Sequence, residues 1–321
     1  MNTKSRWAIV LLLAAVATAI AVTPAASAKR VKQYRIALVT GDNHDPFYVT
    51  MNDGAQAAAK KLGVKVTWQG PATFEAAPQI TILDAVLASK PDFLLVAPTD
   101  VQALIGPLKQ FGSRKVPVMT VDTDVTAKAV RLGNVTSDNR LGGKLAAQYL
   151  ARNSATVAYV GEQRGVFTTD ERWKGFETEI KAHSGIKYVG AQFGADDPNT
   201  ATSIVNALLA RYPNLTGIFA SDTAYGQGAA VAVQNAGKAG KIKIIAFDAE
   251  PDEVTALKRG LIQALIVQKA YDMGAKAVTD AVAYLKTGKK PPALTQPSYV
   301  IATKANIAKP EIAKYVYRVK G

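Results

Sequence analysis

The sequence contains no cysteine, and its 321 residues include only two histidines, His44 and His183. Lack of cysteine excludes disulfides, a thiol nucleophile, cysteine-ligated zinc and a lipidated N-terminal cysteine. Two isolated histidines argue against a histidine-built metal site or a Ser–His relay. No G-x-S-x-G turn, H-E-x-x-H or P-loop is present either. Gly161-Glu162-Gln163-Arg164-Gly165 follows a strand-like run but is not a dinucleotide fingerprint. Acids are scarce: 25 Asp and Glu stand against 39 Lys and Arg, giving a formal charge of +14 and a pI near 9.7. That balance raises nucleic acid as a possible partner. Otherwise the chain is an ordinary globular mix, 48% hydrophobic and 20% charged, and its length suggests about two domains.

One long apolar run stands out. Lys4 and Arg6 precede Ala8–Val22, and Thr23, Pro24 and Ala26-Ser27-Ala28 follow it. A basic start, an apolar stretch short of the roughly 20 residues of a membrane-spanning helix, and an A-x-A site describe a secretory signal peptide. Residues 1–28 are therefore expected to be removed after Ala28, placing the mature chain in the periplasm. Export separates the basic charge from DNA, so it reads as an ordinary basic surface, and no nucleic-acid partner is expected.

After this segment, strand-like and helix-like stretches alternate. Tyr34–Thr40, Val64–Trp68, Asp92–Val96, Val116–Val121, Thr156–Val160, Lys187–Phe193, Thr216–Ala220, Lys243–Phe247 and Gln263–Val267 are short apolar runs. They are apolar on both faces, as strands of a helix-covered parallel sheet must be. Between them, Phe47–Lys61, Glu75–Ala88, Val101–Phe111, Arg140–Arg152, Arg172–Lys181, Thr200–Arg211, Ala224–Asn235 and Pro251–Lys258 have helical periodicity. Gly63, Gly237 and Gly260 stand where helices should end. The alternation predicts right-handed βαβ units, and nine strands predict two doubly wound parallel sheets in two lobes. The first lobe should end near Gly133-Asn134-Val135.

Open α/β sheets bind ligands at the carboxyl ends of their strands. The residues expected there include Asp45, Phe47 and Tyr48 after the first run; Asp122, Ser221-Asp222, Asp248 and Gln268 after later ones; and Glu162, Phe167 and Arg172 after Thr156–Val160. A lone Asp at such a point often caps a helix, and Asp222 and Asp138 read that way. Several carboxylates with one arginine and paired aromatics suit a neutral polyhydroxyl ligand. Carboxylates and guanidinium make strong, forked hydrogen bonds to vicinal hydroxyls, and aromatic faces cover the C–H surface. Trp173 reads as a packed surface residue and His183 as solvated; His44 belongs to a loop near the ligand.

Five segments make the chain similar to periplasmic sugar-binding proteins of ABC importers, the ribose/galactose-binding type with a type I periplasmic binding protein-like fold. They are Asp45-Pro46-Phe47-Tyr48 with Asp53-Gly54-Ala55; Pro117-Val118-Met119-Thr120-Val121-Asp122; Ser137-Asp138-Asn139 with Leu141-Gly142-Gly143; Arg172-Trp173-Lys174-Gly175-Phe176; and Ala246-Phe247-Asp248-Ala249-Glu250-Pro251-Asp252 followed by Gln268. The resemblance implies that Phe47 and Tyr48 stack on a sugar ring, while Asp122, Arg172, Asp248 and Gln268 bind its hydroxyls. Asp45 and Ser221 occupy binding positions where the family often has Asn. Thr123 stands where it often has Arg. An aromatic expected near Ala195-Asp196-Asp197 is missing, which leaves Phe167 and Trp173 as candidates to replace it. Trp68-Gln69-Gly70-Pro71-Ala72-Thr73 resembles relatives that take rhamnose, polyols or a furanosyl signalling molecule.

The expected architecture is a first lobe of residues 32–135 plus 269–297 and a second of 136–268 plus 298–321, joined by a multi-crossing hinge. The expected function is that of an ABC importer's substrate-binding protein, holding a monosaccharide or sugar-like polyol between the lobes and docking, as a monomer, on an inner-membrane permease. A ligand-sensing receptor for chemotaxis or quorum sensing is the alternative. An export signal in place of a helix-turn-helix argues against a transcription regulator. A hydrolase using Asp122 and Asp248 lacks supporting motifs, so no enzymatic activity, cofactor or metal is expected.

Overall fold

The computed structural model describes residues 33–319. The expected signal peptide lies outside the described residues. The first lobe opens with β1 (Arg35–Val39), α1 (Pro46–Leu62), β2 (Lys65–Gln69), α2 (Ala76–Ala88), β3 (Phe93–Val96), α3 (Ile105–Ser113), β4 (Val118–Val121) and β5 (Asn134–Val135). The second runs through α4 (Asn139–Asn153), β6 (Thr156–Glu162), α5 (Phe167–Lys181), β7 (Lys187–Gly194), α6 (Pro198–Arg211), β8 (Gly217–Ala220), α7 (Thr223–Asn235), β9 (Lys243–Phe247), α8 (Pro251–Arg259) and β10 (Ala264–Val267). The chain then returns through α9 (Ala270–Thr287) and β11 (Leu294–Thr295) and crosses again to β12 (Val300–Ala302) and α10 (Pro310–Ala313).

The strands form two six-stranded sheets, ordered β11-β5-β4-β3-β1-β2 and β12-β10-β9-β8-β6-β7. Every pairing between these strands is parallel except β10 with β12. The doubly wound two-lobe expectation therefore holds. The central strands explain it: Phe93-Leu94-Leu95-Val96 and Ala264-Leu265-Ile266-Val267 are buried along their whole length, which only a sheet covered on both faces permits. The chain passes between the sheets three times, at residues 136–138, 268–269 and 296–299.

Several elements differ from expectation, α3 and α9 among them. Helix α3 begins at Ile105 and not at Val101, because Asp100 Oδ1 accepts from the N–H groups of Gln102 (2.7 Å) and Ala103 (2.6 Å) and folds that stretch into turns. No helix is expected after Val267, yet α9 buries Ala270, Met273, Gly274, Ala277, Val278, Ala281 and Val282 along one face. It covers the first lobe's sheet beside α1.

Two reciprocal glycine pairs set helix spacing. A Cβ on Gly54 of α1 would collide with the backbone carbonyl of Tyr271 on α9, and one on Gly274 with that of Met51. In the second lobe, a Cβ on Gly143 of α4 would collide with the carbonyl of Arg172 on α5, and one on Gly175 with that of Arg140. These approaches fix α1, which carries Phe47 and Tyr48, and α5, which carries Arg172.

Candidate functional site

A cavity of about 490 Å³, counting its open mouth, lies between the carboxyl edges of the two sheets. Seven of the eight anticipated residues line it: Asp45, Phe47, Tyr48, Asp122, Arg172, Asp248 and Gln268. Ser221 does not. Its hydroxyl donates to Asp222 (2.8 Å) and its carbonyl accepts from Arg172 (2.6 Å), so it supports the wall from behind. The adjacent Asp222 lines the cavity while also capping α7, accepting from Tyr225 N–H at 3.0 Å.

The walls differ in character by lobe, and corresponding positions show how. In the first turn of α1 stand Phe47 and Tyr48; in the first turn of α5 stand Thr168 and Thr169. Phe74 follows β2, whereas Asp196 follows β7. The first lobe thus offers the aromatic faces together with Asp45 and Asp122, and the second offers most of the hydroxyls and the other acids. Phe47 meets Tyr48 and Tyr317 edge-on at centroid distances of 5.1 and 5.5 Å, which fixes its ring.

The deepest polar groups form one network. Asp122 follows β4 with φ of 63°, and Asp248 follows β9 with φ of 81°. Both occupy left-handed backbone that L-residues rarely adopt, although Asp tolerates it better than most. Tyr48 donates its hydroxyl to Asp122 (2.8 Å); Gln268 and Tyr317 each donate to Asp248 at 2.7 Å. Arg172 lies 4.0 Å from Asp248 and donates to Asn139 Oδ1 (2.9 Å), while its guanidinium stacks on Phe247 at 3.8 Å. Burial pushes Asp122 up to about 7, although Arg172 and the Tyr48 hydrogen bond pull it down. Burial works against the Arg172 cation, yet the surrounding acids, Asp248 first, hold its proton more firmly than usual.

Phe74, Thr168, Thr169 and Thr223 also line the cavity, as do Thr123 and Asp196, which the sequence marks only as departures from the family pattern. The hydroxyl of Thr123 is committed to Pro98 O at 2.6 Å. Position at a strand end was the available signal for Glu162, which also lines the cavity. Neither Phe167 nor Trp173 replaces the missing aromatic. Lys128 sits over the Phe167 ring at 5.0 Å, and Trp173 packs edge-on against Phe193 under the Arg164 guanidinium. Trp68 donates its indole N–H to Thr40 (2.8 Å) and does not line the cavity. Asp138 caps α4 through Leu141 N–H, as its position suggested.

Known proteins share this architecture. The ribose import binding protein of Salmonella typhimurium is 32% identical over 280 residues, covering 86% of this chain and 93% of that protein. An ABC transporter solute-binding protein from Agrobacterium vitis, solved with α-D-tagatopyranose bound, superposes with a TM-score of 0.86 at 38% identity, covering 89% of this chain and all of that one. A carbohydrate transporter solute-binding protein from Agrobacterium radiobacter, in complex with D-arabinose, has a TM-score of 0.83 at 28% identity, covering 88% and 99%. Residues 36–290 match the periplasmic binding protein domain. With that match spanning most of the sequence, and with two parallel-sheet lobes facing each other across a polar cavity, the chain belongs to the periplasmic binding protein family.

Proposed function

We propose that the protein is the extracytoplasmic substrate-binding component of an ABC importer, holding one small sugar or sugar-like polyol between its lobes and presenting it to a membrane permease. The observation that carries this reading is the two-faced cavity, whose aromatic rings all come from the first lobe and whose hydroxyls and carboxylates come mostly from the second. A pyranose or furanose has complementary faces: C–H surface for Phe47, Tyr48 and Phe74, and hydroxyl edges for Asp45, Asp122, Arg172, Asp248 and Gln268. Ser221 acts by holding Arg172 and Asp222 in place. The protein binds its ligand without transforming it, works in the periplasm after loss of residues 1–28, and needs no cofactor. Its lobes divide as residues 32–135 with 269–297, and 136–268 with 298–321.

Thermal denaturation against a panel of pentoses, hexoses and polyols tests this. A ligand that binds only the folded form at a hundredfold excess over its Kd raises the melting temperature by on the order of 5 °C or more. Stabilisation by a polyhydroxylated compound is expected. No response to any panel member, or a response only to molecules lacking hydroxyl groups, overturns the reading.

A further inference from the structure

In a chain of formal charge +14, six of the 25 acids converge on one cavity: Asp45, Asp122, Glu162, Asp196, Asp222 and Asp248. Arg172 is the single cation among the described residues that line it. The N-termini of α1, α5 and α7 also face it, each contributing about +0.5 of a charge. Together these fall well short of what six ionised carboxylates would need.

The acids are not equally provided for. Asp45 and Asp222 cap helices, accepting from Phe47 N–H (2.7 Å) and Tyr225 N–H (3.0 Å). Asp122 and Asp248 flank Arg172 and accept from tyrosine or glutamine donors. Glu162 has no such arrangement. It is only 5% exposed, it lines the cavity, and its Oε1 meets no hydrogen-bond donor. Its own N–H donates to Asp222 at 3.3 Å, so a second carboxylate is its near neighbour. Burial first, then the charges of Asp196 and Asp222, push its carboxyl well above the usual range, although Arg172 pulls the other way. A buried acid with an unmet oxygen among other acids is costly unless something positive or donating arrives. Among the described residues no group of acids is spaced to hold a metal ion.

We infer that the ligand carries a protonated amine on its sugar or polyol frame, and that this ammonium seats on the second-lobe wall against Glu162, with Asp222 beside it and Asp196 at the mouth. The inference rests on the sugar-binding reading and narrows it to amino sugars and amino polyols. An ammonium supplies three donors and one positive charge, whereas a hydroxyl at the same place supplies a single donor and no charge. The first lobe still takes the C–H face of the same molecule, so the amine and the stacking surface lie on opposite sides of it.

Isothermal titration distinguishes the cases. The probes are 2-, 4- and 6-amino hexoses and 1-amino-1-deoxy polyols, each beside its hydroxyl parent and its N-acetyl form, at pH 7.5. At least one amine is expected to bind ten times more tightly than both of its counterparts. Raising NaCl from 20 to 500 mM should shrink that preference. In Glu162→Gln the ratio of amine to parent affinity should fall to threefold or less. If parents bind as tightly as amines, the amine inference fails and the sugar-binding reading stands; if no member of either series binds, the amine inference fails and the sugar-binding reading is decided by the wider panel of pentoses, hexoses and polyols. An unchanged ratio in Glu162→Gln overturns the placement. Should that variant not fold, the wild-type ratio and its salt dependence decide the matter alone.

Discussion

Asp122 and Asp248 show how single residues are committed in this fold. Each ends a buried strand, turns the backbone through a left-handed conformation and presents a carboxylate to the cavity. Asp122, held at about 7 against an ordinary value of 3.8, gives a stability signature. Between roughly pH 4 and 7 the folded protein keeps a proton that the unfolded chain has released, so stability falls as pH rises through that window and levels off above it. The ligand-free protein is therefore expected to melt at lower temperature at pH 7 than at pH 5. Asp122→Asn, which keeps the shape and tolerates the backbone, should flatten that slope; a wild-type melting temperature that rises over the same range would contradict the assignment. Asp124 has the opposite sign. Burial raises it, but hydrogen bonds from Arg131 and Lys128 outweigh that and hold it below its ordinary value, so its contribution is lost only in stronger acid.

Arg172 is the corresponding cationic commitment. Replacing it with Ala leaves Asp122 and Asp248 without their shared cation and should weaken ligand binding by on the order of 2–5 kcal/mol. Arg172→Lys should not restore it, since one ammonium cannot reproduce a guanidinium that bonds Asn139 and Ser221 while stacking on Phe247. Calorimetric titration of both variants with whichever compound stabilises the wild type checks this; wild-type affinity in Arg172→Ala would remove Arg172 from the site. At this scale the sequence was informative but not complete. Ser221 and Asp222 are consecutive, and consecutive side chains at a strand end point in different directions. Which one enters the cavity depends on how the turn leaves β8, and the sequence does not express that. Thr168 and Thr169 were passed over because the helix was expected to start at Arg172, while α5 starts at Phe167.

Among elements, the glycine pairs Gly54/Gly274 and Gly143/Gly175 do the positioning. Their motifs were visible as Asp53-Gly54-Ala55, Leu141-Gly142-Gly143 and Arg172–Phe176, and the structure supplies the physical reason, backbone-to-helix contact too close for a methyl group. Gly175→Ala should therefore push α5 from α4, costing roughly 1–3 kcal/mol of stability, with a further loss of affinity because Arg172 rides on α5. Gly112→Ala is the control. Gly112 lies in α3 with nothing near its absent Cβ, so Ala there should stabilise by roughly 0.5–1 kcal/mol. Urea unfolding of the two variants should move in opposite directions; equal behaviour would show that helix contact is not what the glycine serves. Strand identity was the most legible feature, because runs such as Phe93–Val96 are apolar on both faces. Helix α9 had a readable stripe, Met273, Ala277, Val278, Ala281 and Val282, but its alanines and glycine made it faint. The two-residue strands β5 and β11 are too short to carry any periodicity.

At the scale of the molecule, the lobes touch away from the cavity as well. Val101 N–H donates to Gly165 O (3.2 Å), and the chain's last described stretch ties both halves: Tyr317 N–H donates to Ala249 O, and Arg318 reaches Thr50 (2.7 Å) and Asp53 (3.1 Å) on α1. Three chain crossings permit hinge motion, and a ligand that touches both walls favours the closed arrangement by the contacts it gains there. Small-angle scattering should accordingly show a smaller radius of gyration on saturation with a stabilising sugar; an unchanged radius would mean that binding occurs without closure.

The matched strand orders of the two sheets have a historical consequence. Strands β1 to β5 run in the same lateral order as β6 to β10, and Asp122 and Asp248 follow equivalent members, β4 and β9. Such correspondence is what doubling of an ancestral half-size gene would leave behind. Two identical copies could only have enclosed a guest with like facing like; the paired Asp122 and Asp248 keep that likeness, whereas Phe47, Tyr48 and Phe74 on one side against Thr168, Thr169 and Asp196 on the other depart from it.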